Sequence, residues 1–137
     1  MKQLVIVYGP SGSGKTRLLI SLAERLSSQR RLKVFHHSLH EVTENLLDNL
    51  KKGTIQRFRK SLLDYQIFLI DNMFVLQGKP FTAREIFSIF RMLIDMHRPV
   101  VIASDIEPSI MASWAEDIGS MIKSSRIISM TTKNQAQ

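Results

Sequence analysis

The most constraining feature of the sequence is the run Gly9–Thr16, which fits the pattern Gly-x-x-x-x-Gly-Lys-Thr in full. An apolar run, Leu4–Tyr8, ends directly before it, and a helical pattern of leucines follows it. Glycines at these positions let successive backbone N–H groups turn toward one anion, and the following helix adds the positive end of its dipole. The spacing therefore predicts a strand, a phosphate-binding loop and a helix, in that order.

The residues predicted to contact a nucleotide are those of the loop and the one after it: Gly9, Pro10, Ser11, Gly12, Ser13, Gly14, Lys15, Thr16 and Arg17. Lys15 can reach the β- and γ-phosphates, and the Thr16 hydroxyl is a ligand for Mg²⁺. The pattern alone indicates ATP or GTP binding and leaves the reaction open. The sequence has no Asn-Lys-x-Asp motif for guanine recognition, and only three basic residues follow Asp105, which disfavours an arginine-bearing kinase lid.

Two further apolar runs end in acidic residues. Asp71 follows the run 67–70, and Asp105 follows Ser104 at the end of the run 100–103. Because ligands bind at the carboxyl ends of strands in open α/β sheets, we expect both acids near the loop. Asp71 is predicted to hold Mg²⁺, directly or through water, and a role in capping the next turn is a compatible alternative. Asp105 is predicted to lie beside the γ-phosphate.

Strand-like runs alternate with helical stretches along the whole chain, which predicts an α/β fold with a parallel sheet covered on both faces. Ser38–Glu41 and Thr82–Glu85 have the form of capping boxes and predict the starts of two helices. We detect no repeat and no linker, so residues 1–137 are predicted to form a single domain, with a polar tail over 131–137.

The charge of the chain is unevenly distributed. Residues 1–64 contain 12 Lys and Arg against five Asp and Glu, whereas residues 65–137 contain seven of each. This excess favours an anionic partner, and an ordinary solvated helix surface is an equally supported alternative. The absence of cysteine excludes a disulfide scaffold and a thiolate metal site. No apolar run approaches the ~18–20 residues of a membrane span, so we expect no membrane partner and a cytoplasmic location.

From Leu4 to about Met130 the chain resembles the core ATPase domain of the bacterial replication initiator DnaA and its regulatory relative Hda, in the AAA+ class. Besides the glycine loop, Leu69–Asn72 resembles the family's Walker B motif, and Val101–Asp105 resembles its sensor 1 strand. The resemblance implies a P-loop NTPase fold. That fold has three layers, α/β/α, around a five-stranded parallel sheet, with the loop strand central and no helical lid.

The resemblance also implies roles for individual residues. The catalytic set that it implies is Lys15, Asp71, Asn72 and Asp105, with ATP or ADP and Mg²⁺ as the ligands. In the family an inserted pair of helices contacts single-stranded DNA. By position, the DNA-contacting set would comprise Leu47 and Lys79, joined by the basic residues Lys51 and Lys52.

Three departures from the family pattern limit the expected chemistry. Asn72 stands where the initiator has a second acid, and an amide cannot accept a proton from water. Met121 occupies the arginine-finger position, and the sequence stops before the lid. The resemblance therefore implies an ATP- or ADP-binding domain with weak or no hydrolysis that acts in replication initiation or its regulation. The alternative is a nucleotide-gated or nucleotide-blind interaction module that binds an initiator or another protein without turnover. We expect a monomer or a weak dimer.

Overall fold

The computed structural model describes residues 4–131. The strands are β1 (Leu4–Tyr8), β2 (Val34–Ser38), β3 (Ile67–Asp71), β4 (Val100–Ser104) and β5 (Arg126–Ser129). The helices are α1 (Lys15–Gln29), α2 (Leu39–Lys52), α3 (Ile55–Leu62), α4 (Pro80–Asp95), α5 (Pro108–Ala112) and α6 (Glu116–Ser124). A 3₁₀ turn, Met73–Leu76, lies between β3 and α4. Strands and helices alternate as predicted, whereas the predicted tail over 132–137 lies outside the described residues.

The five strands form one sheet in the order β2-β3-β4-β1-β5, and every pair is parallel. This confirms the five-stranded parallel sheet. β1 lies between β4 and β5, so the glycine loop leaves the sheet from an interior strand. β4 separates β1 from β3, and the registers pair Tyr8 with Ser104 and Ser38 with Asp71. The carboxyl ends of all these strands therefore meet at one edge of the sheet.

The two faces of the sheet are covered very differently. We call the face that carries Ile6, Phe68 and Ile102 the crowded face, because residues from α2 to α6 all pack on it. We call the face that carries Val7 and Leu69 the sparse face, because α1 is the helix that packs on it within the described residues. A large and a small hydrophobic core thus lie on opposite sides of one sheet.

One of the two predicted capping boxes is confirmed. The Ser38 hydroxyl accepts a hydrogen bond from Glu41 N–H, and the Glu41 carboxylate accepts one from Ser38 N–H. The prediction for Thr82 is wrong. Lys79 is the N-cap, and helix α4 begins at Pro80, three residues before the start that a Thr82 cap predicts, because proline fits the first helical turn, where its missing N–H has no intrahelical partner. Thr82 is buried within the helix.

Within residues 4–131, none of the helices has both the length and the apolar character that crossing a lipid bilayer requires.

Candidate nucleotide-binding site

The glycine loop curls between β1 and α1 in the manner that the motif predicts. Gly12 and Gly14 adopt positive φ angles of 85° and 95°, which a residue with a Cβ rarely adopts. Gly9 is needed for a different reason, since a Cβ there would lie 2.7 Å from the Met130 carbonyl oxygen. Helix α1 begins at Lys15, directly after the loop. The N–H groups of its first turn and its dipole therefore point at the space above the loop.

Lys15 is held by the loop itself. Its ammonium donates hydrogen bonds to the carbonyl oxygens of Gly9, at 2.6 Å, and Pro10, at 3.0 Å. These two contacts place a positive charge beside the loop, where a phosphate would bind. The carbonyl oxygens are also the groups that a phosphate would have to replace as partners of the ammonium.

The predicted magnesium residues contact each other. The Thr16 hydroxyl donates a 2.9 Å hydrogen bond to Asp71 Oδ2, across 55 positions of the sequence. The other carboxylate oxygen, Oδ1, accepts a 2.8 Å hydrogen bond from Asn72 N–H. A hydroxyl and a carboxylate at the edge of the loop suit Mg²⁺, which is commonly bound by one or two protein carboxylates together with substrate phosphates. Within residues 4–131, no group of three or more His, Cys, Asp or Glu could hold a metal without such a ligand.

An open cavity of about 710 Å³ lies above the loop. Ten of the residues that the sequence analysis assigned to the site line this cavity: Ser11, Gly12, Ser13, Gly14, Lys15, Thr16, Arg17, Asp71, Asn72 and Asp105. The two remaining predicted loop residues, Gly9 and Pro10, are not among the lining residues and contribute the carbonyl oxygens that hold Lys15. The volume is within the range of roughly 300–1,000 Å³ that is typical of small-molecule sites. The structure thus gathers all four residues of the proposed catalytic set around one cavity.

Two residues of the cavity wall, Ser38 and Ala103, were not predicted. Ser38 ends β2, and the sheet register places it opposite Asp71. Its capping pattern is visible in the sequence, but its place beside Asp71 depends on the pairing of β2 with β3. Ala103 carries no chemical group that a sequence pattern would identify.

Ser13 is the one residue of the loop whose side chain is buried without a partner. Its hydroxyl oxygen makes no hydrogen bond to residues 4–131, and the residue is 9% exposed. An ideal Cβ on Gly9 would lie 2.8 Å from this oxygen. The loop is therefore tightly packed beneath the cavity, where it also carries an unsatisfied polar atom.

The residues implied in DNA contact lie outside this cavity. Leu47, Lys51 and Lys52 are exposed on α2, and Lys79 is exposed at the N-cap of α4. Helices α2 and α4 pack against each other, so the four residues belong to one layer on the crowded face. Lys52 also forms a 3.1 Å ion pair with Asp48.

Three phenylalanines in this part of the chain differ in exposure. Phe58, the one aromatic residue between Lys51 and Lys60, packs against the core. Phe74 and Phe81 are 62% and 61% exposed on either side of the turn that contains Lys79. Sequence reasoning missed them because an isolated phenylalanine is more often a core residue than an exposed one.

Asn72 and Met121, the two residues that depart from the family pattern, lie in different surroundings. Asn72 adopts a left-handed conformation, with φ 70° and ψ 59°, which asparagine tolerates better than most residues. Its side chain lines the cavity. Met121 is 8% exposed within α6, so its side chain is part of the hydrophobic core.

Comparison with protein families gives a match over almost the whole chain. A family model described as the bacterial DnaA ATPase domain matches residues 3–129. The chromosomal replication initiator protein DnaA of Aquifex aeolicus is 28% identical over 133 residues, which cover 97% of this chain and 33% of that protein. The corresponding protein of a Synechococcus strain is 30% identical over 113 residues, which cover 82% of this chain and 24% of that protein. The chain thus spans about a third or less of the length of these relatives.

Solved structures show the same likeness in three dimensions. Domain III of the Thermotoga maritima replication initiation protein DnaA superposes with a TM-score of 0.83 at 27% identity, covering 94% of this chain and 55% of that one. The replication initiator DnaA bound to AMPPCP and single-stranded DNA also gives 0.83 at 27% identity, covering 96% and 41%. The DnaC helicase loader, at 15% identity and a TM-score of 0.75 over 93% of this chain and 78% of that one, shares the fold. The chain belongs to the bacterial DnaA ATPase domain family.

Proposed function

We propose that this DnaA-like domain binds ATP or ADP with Mg²⁺ in the cavity above the glycine loop and hydrolyses ATP slowly or not at all. The observation that carries the proposal is the convergence of Lys15, the Thr16–Asp71 pair and Asp105 on one cavity at the N-terminus of α1. A lysine and a helix N-terminus bind the phosphates of a nucleotide, and a hydroxyl and a carboxylate oxygen bind the accompanying Mg²⁺. The solved initiator with AMPPCP, described above, supports the choice of adenine nucleotide.

Each residue has a defined part in phosphate binding. The Lys15 ammonium leaves its two carbonyl partners and neutralises the β- and γ-phosphates. Thr16 and Asp71 hold Mg²⁺, which supplies further neutralisation of the phosphate charge when it is bound. Asp105, on the loop after β4, lies where it can respond to the presence of a γ-phosphate.

The hydrolytic step lacks two contributors. Asn72 lines the cavity and can orient a water molecule, but its amide cannot take the proton of that water. Met121 is buried and uncharged, so it cannot supply positive charge to the site of a neighbouring subunit. Where an arginine supplies such charge, it accelerates the reaction by about 10³–10⁵. Retention of bound nucleotide is therefore favoured over turnover.

Nucleotide binding is tested by titrating labelled ATP and ADP, with and without Mg²⁺, into the wild-type chain and Lys15→Ala. We expect saturable binding that weakens about tenfold or more in the variant, because a charge-assisted contact contributes roughly 1.5–3 kcal/mol. Lys123→Ala, at an exposed position of α6, is the matched control and should bind like wild type. Equal affinity in all three proteins would contradict the proposal.

The slow-turnover part is tested by single-turnover hydrolysis in wild type, Asn72→Asp and Asn72→Ala. Restoring a carboxylate should raise the rate, since general base catalysis contributes typically 10²–10⁴-fold. The alanine variant should stay at the wild-type baseline. If wild type already hydrolyses as fast as Asn72→Asp, the side chain of Asn72 does not limit the reaction.

We further propose single-stranded DNA as a ligand of the surface formed by Leu47, Lys51, Lys52 and Lys79. The support is the exposure of all four residues in one layer, the two exposed phenylalanines that flank Lys79 in the sequence, and the DNA bound to the solved initiator. Lysines neutralise phosphates, and aromatic rings stack with bases at roughly 1–3 kcal/mol per base.

Fluorescence anisotropy with a single-stranded oligonucleotide tests this ligand. Lys51→Ala should weaken binding and lower the slope of log affinity against log salt by about one unit or less. Lys123→Ala changes the same charge on another helix and should leave the slope unchanged. A slope that falls equally in both variants would indicate a general charge effect and not a site.

The role that follows is action in chromosomal replication initiation or in its regulation, with the nucleotide controlling contacts to replication proteins. The alternative is a protein-interaction module, nucleotide-gated or nucleotide-blind, that works without turnover. Single-turnover hydrolysis by the wild-type chain would contradict this alternative. Binding to an intact initiator that is the same with ATP, with ADP and without nucleotide would indicate the nucleotide-blind form, and binding that differs would indicate nucleotide gating.

A further inference from the structure

Ser38 lies where the nucleotide cavity meets a helix of the crowded face. It is the last residue of β2 and lines the cavity above the glycine loop. It is also the N-cap of α2, where its hydroxyl oxygen accepts a hydrogen bond from Glu41 N–H. One side chain therefore belongs both to the cavity wall and to the start of a helix.

The sheet register brings Ser38 beside the proposed magnesium residues. It pairs Ser38 with Asp71, and adjacent strands of a sheet lie about 4.8 Å apart. Residues paired in this way point their side chains to the same face of the sheet. The Asp71 carboxylate accepts a hydrogen bond from the Thr16 hydroxyl, which comes from α1. Ser38 therefore points its side chain to the side of the sheet on which Thr16 and Asp71 meet.

The helix cap uses only part of the hydrogen-bonding capacity of the Ser38 hydroxyl. A serine oxygen can accept two hydrogen bonds, and its proton can be donated once. The bond from Glu41 N–H takes one acceptor position, and its length of 3.4 Å exceeds the usual range of about 2.7–3.2 Å. The helix thus holds the oxygen loosely, and a second acceptor position is left for a donor in the cavity.

We propose that the Ser38 hydroxyl accepts a hydrogen bond from a water molecule of the Mg²⁺ hydration shell when nucleotide is bound, and that this contact stabilises the start of α2. Mg²⁺ dehydrates reluctantly and usually keeps several waters, whose oxygens face the metal and whose hydrogens are free to donate. Ser38, as the neighbour of Asp71 in the sheet, offers an acceptor for such a water. The contact depends on the proposed function, because it requires Mg²⁺ to enter with the nucleotide.

The contact with water and the cap of α2 depend on the same rotamer of Ser38. In the structure one rotamer reaches Glu41 N–H while the residue lines the cavity. A water that holds this rotamer raises the population of the capped state. Nucleotide binding with Mg²⁺ should therefore stabilise the first turn of α2, the helix that carries Leu47, Lys51 and Lys52.

The magnesium dependence of nucleotide affinity tests the contact. ATP is titrated into wild type, Ser38→Ala and Ser38→Thr, each with Mg²⁺ and with EDTA. Ser38→Ala should reduce the gain in affinity that Mg²⁺ gives wild type by about two- to tenfold, the range of a neutral hydrogen bond, and should bind like wild type in EDTA. Ser38→Thr should restore the gain, because threonine keeps the hydroxyl and also caps helices.

Glu41→Ala is the matched control for a weakened cap. It removes the carboxylate that accepts from Ser38 N–H, and it keeps both the Ser38 hydroxyl and the Glu41 N–H. Both alanine variants should lower the melting temperature, whereas the magnesium gain should fall in Ser38→Ala alone. Circular dichroism verifies that each variant is folded. An equal fall in both variants, or a full gain in Ser38→Ala, would overturn the contact.

Amide hydrogen exchange tests the effect on α2. Glu41 N–H has no acceptor within its helix, so its exchange reports the bond to Ser38. Mg²⁺ with ATP should slow this exchange in wild type and leave it unchanged in Ser38→Ala at saturating ATP. Ile118 N–H, at the same position of α6 and bonded to the Asp117 carboxylate, is the reference and should not change. Equal protection of both amides would indicate general stabilisation of the fold and would overturn the effect on α2.

The wild-type titration also separates this inference from the proposed function. Nucleotide binding that gains nothing from Mg²⁺ would overturn the role of Ser38 and leave the phosphate site of Lys15 intact. A wild type that binds no nucleotide under either condition would overturn both.

Discussion

The two faces of the sheet differ in how much hydrophobic surface they bury and in which face carries the helix that follows the nucleotide loop. Among residues 4–131, the core on the crowded face contains 23 buried hydrophobic residues, and the core on the sparse face contains five. The nucleotide loop leads into α1, which packs on the sparse face. Most of the burial that stabilises the fold thus lies opposite the helix that carries Lys15 and Thr16. Stability and ligand binding can therefore be changed separately, by substitutions on opposite faces of the sheet.

The largest effect is expected on the crowded face. Phe90 is 2% exposed in α4, and its ring centroid lies 5.2 Å from that of Phe87. Phe90→Ala should lower the free energy of unfolding by about 3–5 kcal/mol, because a buried aromatic side chain is lost and a cavity remains. Urea denaturation measures this change. The fraction that stays folded should bind nucleotide like wild type, and a weaker affinity there would break the separation.

A smaller loss of stability and a larger loss of binding are expected on the sparse face. Leu19 is the one fully buried residue of α1. Leu19→Ala should cost about 2 kcal/mol, the lower end for such changes, because the exposed surroundings of α1 let the site relax. Nucleotide affinity should fall as well, since α1 positions Lys15 and Thr16. Denaturation and nucleotide titration on the same preparation decide the matter, and an unchanged affinity would contradict the expected link.

Two buried serines allow a finer comparison. The Ser104 hydroxyl donates to the Ile106 carbonyl oxygen and accepts from Ile106 N–H, both at 2.9 Å. Ser104→Ala should therefore lower the free energy of unfolding by about 1–2 kcal/mol, because a buried donor and acceptor lose their partner. Thermal denaturation at fixed pH measures the change. A neutral result would mean that water replaces the hydroxyl.

The smallest effect, with the opposite sign, is expected at Ser13. Its hydroxyl is buried without a partner in the described part of the chain. Ser13→Ala should raise the free energy of unfolding by up to about 1 kcal/mol, because an unsatisfied buried hydroxyl is destabilising. The pair of substitutions should thus move the melting temperature in opposite directions. If both lower it, the Ser13 hydroxyl has a partner in solution.

The sequence was most informative where a local pattern determines the structure. The positions of β1, β3 and β4, the glycine loop and the capping box at Ser38 were predicted from short windows of sequence. Thr82 shows the limit of such reasoning, because its capping pattern competed with Pro80, and the proline determined where the helix began. Local signals that overlap can be ranked only when the geometry is known.

Features that depend on distant parts of the chain were not predictable. Arg98 donates to the carbonyl oxygens of Leu63, Tyr65 and Met96, and joins two loops that are 33 or more positions apart. The exposure of Phe74 and Phe81 likewise depends on how α2, α4 and the 3₁₀ turn pack together. The uneven cover of the sheet is also a property of the whole fold, and no sequence window contains it.

The contacts of Lys15 with Gly9 and Pro10 have a consequence for the thermodynamics of ligand capture. They hold the loop in a curled shape before any anion arrives, so the conformational entropy of the loop is lost when the chain folds. Binding is then an exchange of partners at one ammonium group, with little further ordering of the backbone. The expected calorimetric signature is a small entropic penalty, with an enthalpy that reflects the difference between a carbonyl and a phosphate oxygen as hydrogen-bond acceptors.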